Sequence, residues 1–344
     1  MRLITQNPFR VLGLSITGGD RDIAKQISDM SIYTDMGKTI EYDSDNFFPI
    51  KPTRTSDSIV EAKQKIDQPE NKLYNALFWF WEGSGNTVDD MAFEELKNNN
   101  LDKAVNFWEN ETNKGINSKN LSNYKNLATL YLGFSLSPTT DKKKGKLNKE
   151  YLSQSLALYG DFFSDGYFDD FSKKVLGNNL AVNLLDVRDR FLDEILLFTK
   201  SHIGKRKSTY KLTMKELLQH FESFPTGIQE DVINKLIGKN INNIEKQIKS
   251  AEQKKINDES KANKAGFELY KNTQTDLKNI QSVLSKTDLK YQLIADKIAD
   301  ELIDCSITYF NKYRETSTDP GDDTLKLFNY AKEMAVGDKI KEKL

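Results

Sequence analysis

The side chains able to do chemistry are few and far apart. Two histidines, His202 and His220, stand in separate segments, and the single cysteine, Cys305, lies in the apolar run "IADELIDCSITYF". A histidine acts as a base or a metal holder only with a nucleophile or further ligands beside it, and neither has these at a familiar spacing. Asp186, Asp189, Asp193 and Glu194 crowd one stretch, yet Arg188 and Arg190 are interspersed to pair with them and no histidine accompanies them. A solvated charged face is the expectation there. No GxSxG, HExxH, cysteine pair, phosphate loop or dinucleotide glycine pattern occurs. The sequence thus predicts no catalytic residue, no cofactor and no metal. The route left to catalysis is a site assembled from distant residues, with His220 and carboxylates converging in a pocket. Two lysine-rich stretches, "SPTTDKKKGKLNKE" and "HIGKRKS", lack the interleaved aromatics of a nucleic-acid face and read as solvated connections.

The elements that would position any site are helical. Hydrophobic residues make up 38% of the 344 and charged residues 29%, enough apolar surface for a packed core. Fifty basic against 51 acidic side chains leave no global field to attract nucleic acid or an anionic membrane. One cysteine forbids an internal disulfide, and a small buried hydrophobe is its expected role. No signal-peptide pattern and no apolar run of ~20 residues is present, so a cytoplasmic address without a membrane partner is expected. Glycine and proline cluster at joints, and strand-like alternation is scarce, which predicts an all-α fold.

In the first segment, Asn7 and Pro8 form an N-cap and first helical residue for a short helix with Phe9, Val11 and Leu12. Asp20 is expected to cap a second helix with Ile23, Ile27, Met30 and Tyr33 on one buried face. A long loop over 40–58 follows, then a helix from Ser56–Ser58, then one starting at Pro69 and stopped by Gly83. Phe9, Leu12, Gly13 and Leu14, the helix from Asp20, and then Asp67, Pro69, Glu70, Lys72 and Tyr74 resemble the opening and closing of a J-domain, the module of DnaJ-type co-chaperones. That resemblance covers about a fifth of the chain and implies a small helical domain that docks on a DnaK-type chaperone. The His-Pro-Asp tripeptide that drives the chaperone's ATPase is missing, and the second helix lacks the strongly basic face of the family. A degenerate J-like docking domain is the expectation.

The block Phe78–Trp81 cannot face one side of a helix; it is expected to join the N-terminal bundle to the helices after it, with an exposed hot spot as the functional alternative. Ala92 with Leu96, Ala104 with Phe107 and Trp108, and Leu127, Ala128, Tyr131 and Leu132 resemble a tetratricopeptide-like unit. The stretch "NLAVNLLDVRDRFLDEILLF" reads as a central helix, residues 231–314 as long helices with a protruding hairpin, and "TLKLFNYAKEMAVGDKIKEKL" as one final amphipathic helix. The division expected is a J-like domain over 1–85, helical hairpins over 86–137, a middle domain over 147–237 and a long-helix, coiled-coil-like region over 238–344. The function expected is non-catalytic protein binding or scaffolding, with Tyr42, Asp43, Asp45, Phe47, Phe48, Trp79, Trp81 and Trp108 as candidate partner-binding residues. The alternative is a co-chaperone of a DnaK-type partner working without the tripeptide.

Overall fold

A computed structural model describes residues 2–38, 40–135, 148–177, 181–200 and 212–344. His202, the basic stretch 202–208, Leu180 and positions 137–147 of the first lysine-rich stretch lie outside these residues. All the regular elements described are helices. Among the described residues no helix is long and apolar enough to cross a membrane. The chain forms two compact units, Met1–Gln229 and Glu230–Leu344, so the segments expected over 1–85 and 86–137 share one unit with most of 147–237.

The first unit contains α1 (Arg2–Thr5), α2 (Pro8–Leu12), α3 (Asp20–Asp35), α4 (Ser56–Gln64), α5 (Pro69–Ala76), α6 (Thr87–Lys97), α7 (Leu101–Thr112), α8 (Leu121–Ser135), α9 (Lys149–Phe162), α10 (Tyr167–Leu176), α11 (Leu184–Lys200) and α12 (Met214–Gln219). The Asn7 side chain caps α2 by accepting from the Phe9 N–H at 3.0 Å, and Gly13 ends that helix at φ +61°. A glycine is required at position 13 twice over: the backbone is left-handed, and a Cβ there would lie 2.5 Å from the Tyr42 ring. The cap of α3 is Gly19 rather than Asp20, because the Asp22 carboxylate reaches back to accept from the Gly19 N–H at 2.9 Å. Tyr33 leaves the expected buried face: it is 48% exposed, while Ile23 and Met30 are buried.

The aromatic block is not helical. Helix α5 stops at Ala76, seven residues before Gly83, and Phe78–Trp81 run through the interior as irregular chain with all four side chains buried. Buried loop backbone needs partners, and the Asn126 side chain supplies them, accepting from the Trp81 N–H at 2.6 Å. Phe80 is the hub of the joint. It meets Phe47 and Phe93 edge-on at 5.3 and 5.7 Å and stacks on Phe48 and Trp108 at 5.7 and 6.2 Å; each such pair adds ~0.5–1.5 kcal/mol beyond burial.

Helix α8 is the most deeply buried stretch of the first unit. All of Leu121–Gly133 is buried, whereas α11 exposes Leu185 and Leu197. Two buried amides of α8 meet one carboxylate: buried Asp89 on α6 accepts from Asn123 (2.8 Å) and Asn126 (3.0 Å), and also from Trp108 Nε1 (2.7 Å) and Ser84 (2.6 Å). Lys125, on the same helix, has no such partner. It is fully buried, its Nζ makes no hydrogen bond among the described residues, and the Phe171 ring lies 5.8 Å away. Burial holds its pKa well below the usual lysine value, with Asp89 opposing the shift.

The second unit is built from the long helix α13 (Thr226–Asn257), whose first residues belong to the first unit, with α14 (Ala262–Gln281), α15 (Leu289–Tyr313), α16 (Gly321–Met334) and α17 (Asp338–Lys341). The polar hairpin between α13 and α14 does not protrude. Lys255 pairs with Glu301 at 3.0 Å and Lys312 with Glu259 at 3.5 Å, which ties the turn to α15. Gly266 lets α14 lie close to α15 and α16, since a Cβ there would come within 2.7 Å of Leu327 and 3.1 Å of Cys305. The expected final helix is broken into α16 and α17, because the Asp296 carboxylate draws in the Val336 and Gly337 N–H groups at 2.9 and 3.0 Å. Cys305 is buried as expected, and burial pushes its thiol pKa up.

Candidate functional site

The segment that joins α3 to α4 folds into a 3₁₀ turn over Asp43–Phe47. The turn forms because the Asp45 carboxylate accepts from the Tyr42 N–H at 3.0 Å, bending the chain back on itself. The same carboxylate takes both terminal nitrogens of Arg54, at 2.6 and 2.7 Å, with the two side chains 2% and 6% exposed. Arg54 spends its remaining donors on the carbonyls of Val11, Ile40 and Arg10 at 2.8, 3.0 and 2.8 Å. One bidentate pair thereby pins the loop to α2.

A second guanidinium lies directly behind. Arg10 is fully buried and donates to the carbonyls of Asp45 (2.9 Å) and Thr5 (3.2 Å), with the rings of Phe48 and Trp79 at 5.8 and 5.7 Å. Its Nε has no partner, and burial lowers its pKa to about 10 against the pull of Asp45. One carboxylate therefore serves two cations, with carbonyl oxygens and ring faces making up the difference. The Tyr42 ring covers Arg54 at 4.7 Å, and its hydroxyl accepts from Gln26.

The candidate partner-binding residues are thus largely consumed by the fold. Phe47 packs on Phe80 and Phe93, Phe48 on Trp79, Phe80 and Phe134, and Trp108 on Phe80 and Phe93. Trp81 packs on Phe171. With Asp45, these side chains are buried, so as exposed anchors they are unavailable. Tyr42 is half-buried, and Asp43 alone of the eight stands out, 76% exposed and 3.4 Å from Lys97.

Three features of the rim escaped the sequence reading. Beside Asp43, Glu82 is largely enclosed with Oε1 unpartnered, and burial raises its pKa to about 7, with Lys97 opposing and Asp43 reinforcing. The buried Arg10 and Arg54 were also missed, although an arginine inside "NPFRVLG" is a visible anomaly. At the far end of α3, Ile32, Tyr33 and the cap residue Met36 are 57%, 48% and 61% exposed.

Little here supports proton transfer or nucleophilic attack. The carboxylate whose charge acts on His220 is Glu216, which Lys149 and the Thr213 N–H engage at 2.8 and 2.7 Å and hold at about 2. Burial lowers the His220 pKa. Among the described residues no three His, Cys, Asp or Glu side chains are grouped to hold a metal ion. Compared with protein-family models, curated proteins and solved structures, the chain matches none.

Proposed function

We propose that this protein is a non-catalytic interaction or scaffold protein, and that its first unit docks a partner on the exposed end of α3. The observation that carries this reading is the apolar trio Ile32, Tyr33 and Met36, left in solvent within five positions of the chain. Exposed apolar groups clustered on one turn of a helix are typical of contact surfaces, and tyrosine is a favoured anchor. The helix bearing the trio carries Asp20, Asp22 and Asp29 against Arg21 and Lys25, so the partner surface it suits is apolar with a basic rim. The J-like order of α2 to α5 and the tetratricopeptide-like pairing of α6 with α7 through Ala92 and Ala104 are consistent with such a role.

The test replaces Ile32, Tyr33 and Met36 together by Ser and compares co-purifying proteins with those of the parent chain, checking by circular dichroism that both are equally folded. Loss of a specific companion supports the reading; identical recovery sinks it. Removing residues 1–85 is a poorer test, because Phe47 and Phe80 belong to the same core as Trp108.

A co-chaperone without the tripeptide is the second reading, favoured by Asp43 at the tip of the loop between α3 and α4. It predicts that the protein raises the ATPase rate of a DnaK-type chaperone and that Asp43→Ala abolishes the increase. No increase with the parent chain removes this reading. Asp45 is unsuited to that test, since its loss would disturb the fold.

A further inference from the structure

We infer that the first unit holds a binding site for a small neutral carboxamide with an apolar body, in the cavity between the start of the chain and helices α4, α5 and α11. The cavity is about 400 Å³, within the range of sites for small organic molecules. Leu3, Pro8 and Tyr74 give it an apolar wall, and Gln6 and Asn75 each bring to it a side-chain amide with one end unused.

Asn75 is set apart from the other buried asparagines. Its Nδ2 donates to the carbonyls of Lys65 and Asn71 at 3.0 and 2.8 Å, which ties the end of α4 to α5 and fixes which end of the amide is the oxygen. Its Oδ1 accepts no hydrogen bond from any described residue, although Asn75 is only 6% exposed. The side-chain oxygens of Asn7, Asn120, Asn123, Asn126 and Asn263, the other buried asparagines described, each accept one. The Asn75 oxygen is not sealed in the core, and the cavity is the open space that this side chain lines. A ligand N–H there satisfies an acceptor that the fold leaves open.

Gln6 supplies the complement. Its Oε1 accepts from the Thr53 N–H at 3.2 Å, so the oxygen is the end turned to Thr53, and Nε2, which donates to no described residue, is the end left over. An open acceptor and an open donor in one cavity match the N–H and C=O of an amide. The charges around the opening leave no hold for an anion. Lys65 is bonded to Glu61 at 2.6 Å. Arg190 lies over the Tyr74 ring at 4.2 Å, and Asp193 and Glu194, whose charges act on the same phenol, offset it. A carboxylate therefore meets no surplus of positive charge, while the apolar wall favours a ring or short alkyl group on the amide carbon.

The experiment is calorimetric titration of the full chain with benzamide, N,N-dimethylbenzamide and benzoate in turn. Benzamide is expected to bind one to one. N,N-dimethylbenzamide, which has no N–H for Asn75, and benzoate, which adds a charge, are each expected to bind at least ~10-fold more weakly. Gln6→Glu keeps an oxygen for the Thr53 N–H and replaces the open donor by an acceptor. This variant is expected to melt like the parent and to bind benzamide at least ~10-fold more weakly. Replacing Asn75 would also free the Lys65 carbonyl, so the comparison of benzamide with its dimethyl form tests that residue without altering the fold. Absence of benzamide binding at millimolar concentration overturns the inference. So does N,N-dimethylbenzamide or benzoate binding as tightly as benzamide, or equal binding of benzamide by Gln6→Glu.

Discussion

Replacing Lys125 by Met should make the protein more stable at neutral pH. In the unfolded chain this lysine holds its proton up to its ordinary value of 10.5, whereas in the folded chain burial favours the neutral amine and holds the value well below that. Between the depressed folded value and 10.5 the unfolded state therefore binds one proton more, and stability rises with pH by ~1.4 kcal/mol per unit. Above 10.5 the penalty vanishes, and below the folded value it is constant. Met keeps the length of the side chain, needs no hydrogen bond and suits the Phe171 ring. The expected gain at pH 7 is ~1–4 kcal/mol, the range seen when apolar groups replace buried charges. It should narrow as pH rises through the interval between the depressed folded value and 10.5. Urea unfolding at several pH values, followed by tryptophan fluorescence, reads this directly, because Trp79, Trp81 and Trp108 all lie in the first unit. Other titrating groups act equally on both chains and cancel in the difference. The reasoning fails if Lys125→Met is less stable than the parent at pH 7, as a charged lysine attracted to Asp89 would require. Parallel pH profiles for the two chains would refute it equally.

Two further outcomes follow from the loop and its rim. Asp45→Ala leaves Arg54 and Arg10 without a carboxylate and should cost ~3–5 kcal/mol in urea unfolding; Asp45→Ala with Arg54→Met should cost less than the two single changes together. Glu82 binds its proton more tightly when folded, at about 7 against an ordinary 4.5, so the parent loses stability as pH rises through that interval. Glu82→Gln should therefore be more stable than the parent by ~1–3 kcal/mol at pH 8 and level with it near pH 4 in the same assay.

What was legible in the sequence was local. The Asn7–Pro8 cap, the starts at Ser56 and Pro69, the buried alanines of α6 and α7 and the burial of Cys305 follow from propensities and periods that short windows contain. What was not legible depends on partners distant in the chain. The block Phe78–Trp81 can leave the helix at its end because Asn126, 45 residues away, satisfies the Trp81 backbone. The last helix broke because Asp296 competes for its N–H groups. The candidate anchors failed for a related reason. Large aromatics signal contact in either setting, and only tertiary packing decides whether the contact is with the chain itself. The exposed trio on α3 was hidden in the opposite way, because the helical period that assigned Tyr33 to a buried face takes no account of where the neighbouring layer ends.

The loop between α3 and α4 also makes a statement about how this sequence can drift over time. Two of its three aromatic residues each lie against a glycine in another helix or turn, Tyr42 on Gly13 and Phe48 on Gly133, and in both cases a single added methyl group would overlap the ring. Neither member of a pair can be enlarged alone. Among descendants or cousins of this chain, a side chain at position 13 should appear only where position 42 has shrunk and the left-handed turn has been rebuilt. A side chain at 133 should appear only where 48 has shrunk. These two coupled columns would mark a shared ancestry of this loop even where the surrounding sequence had diverged.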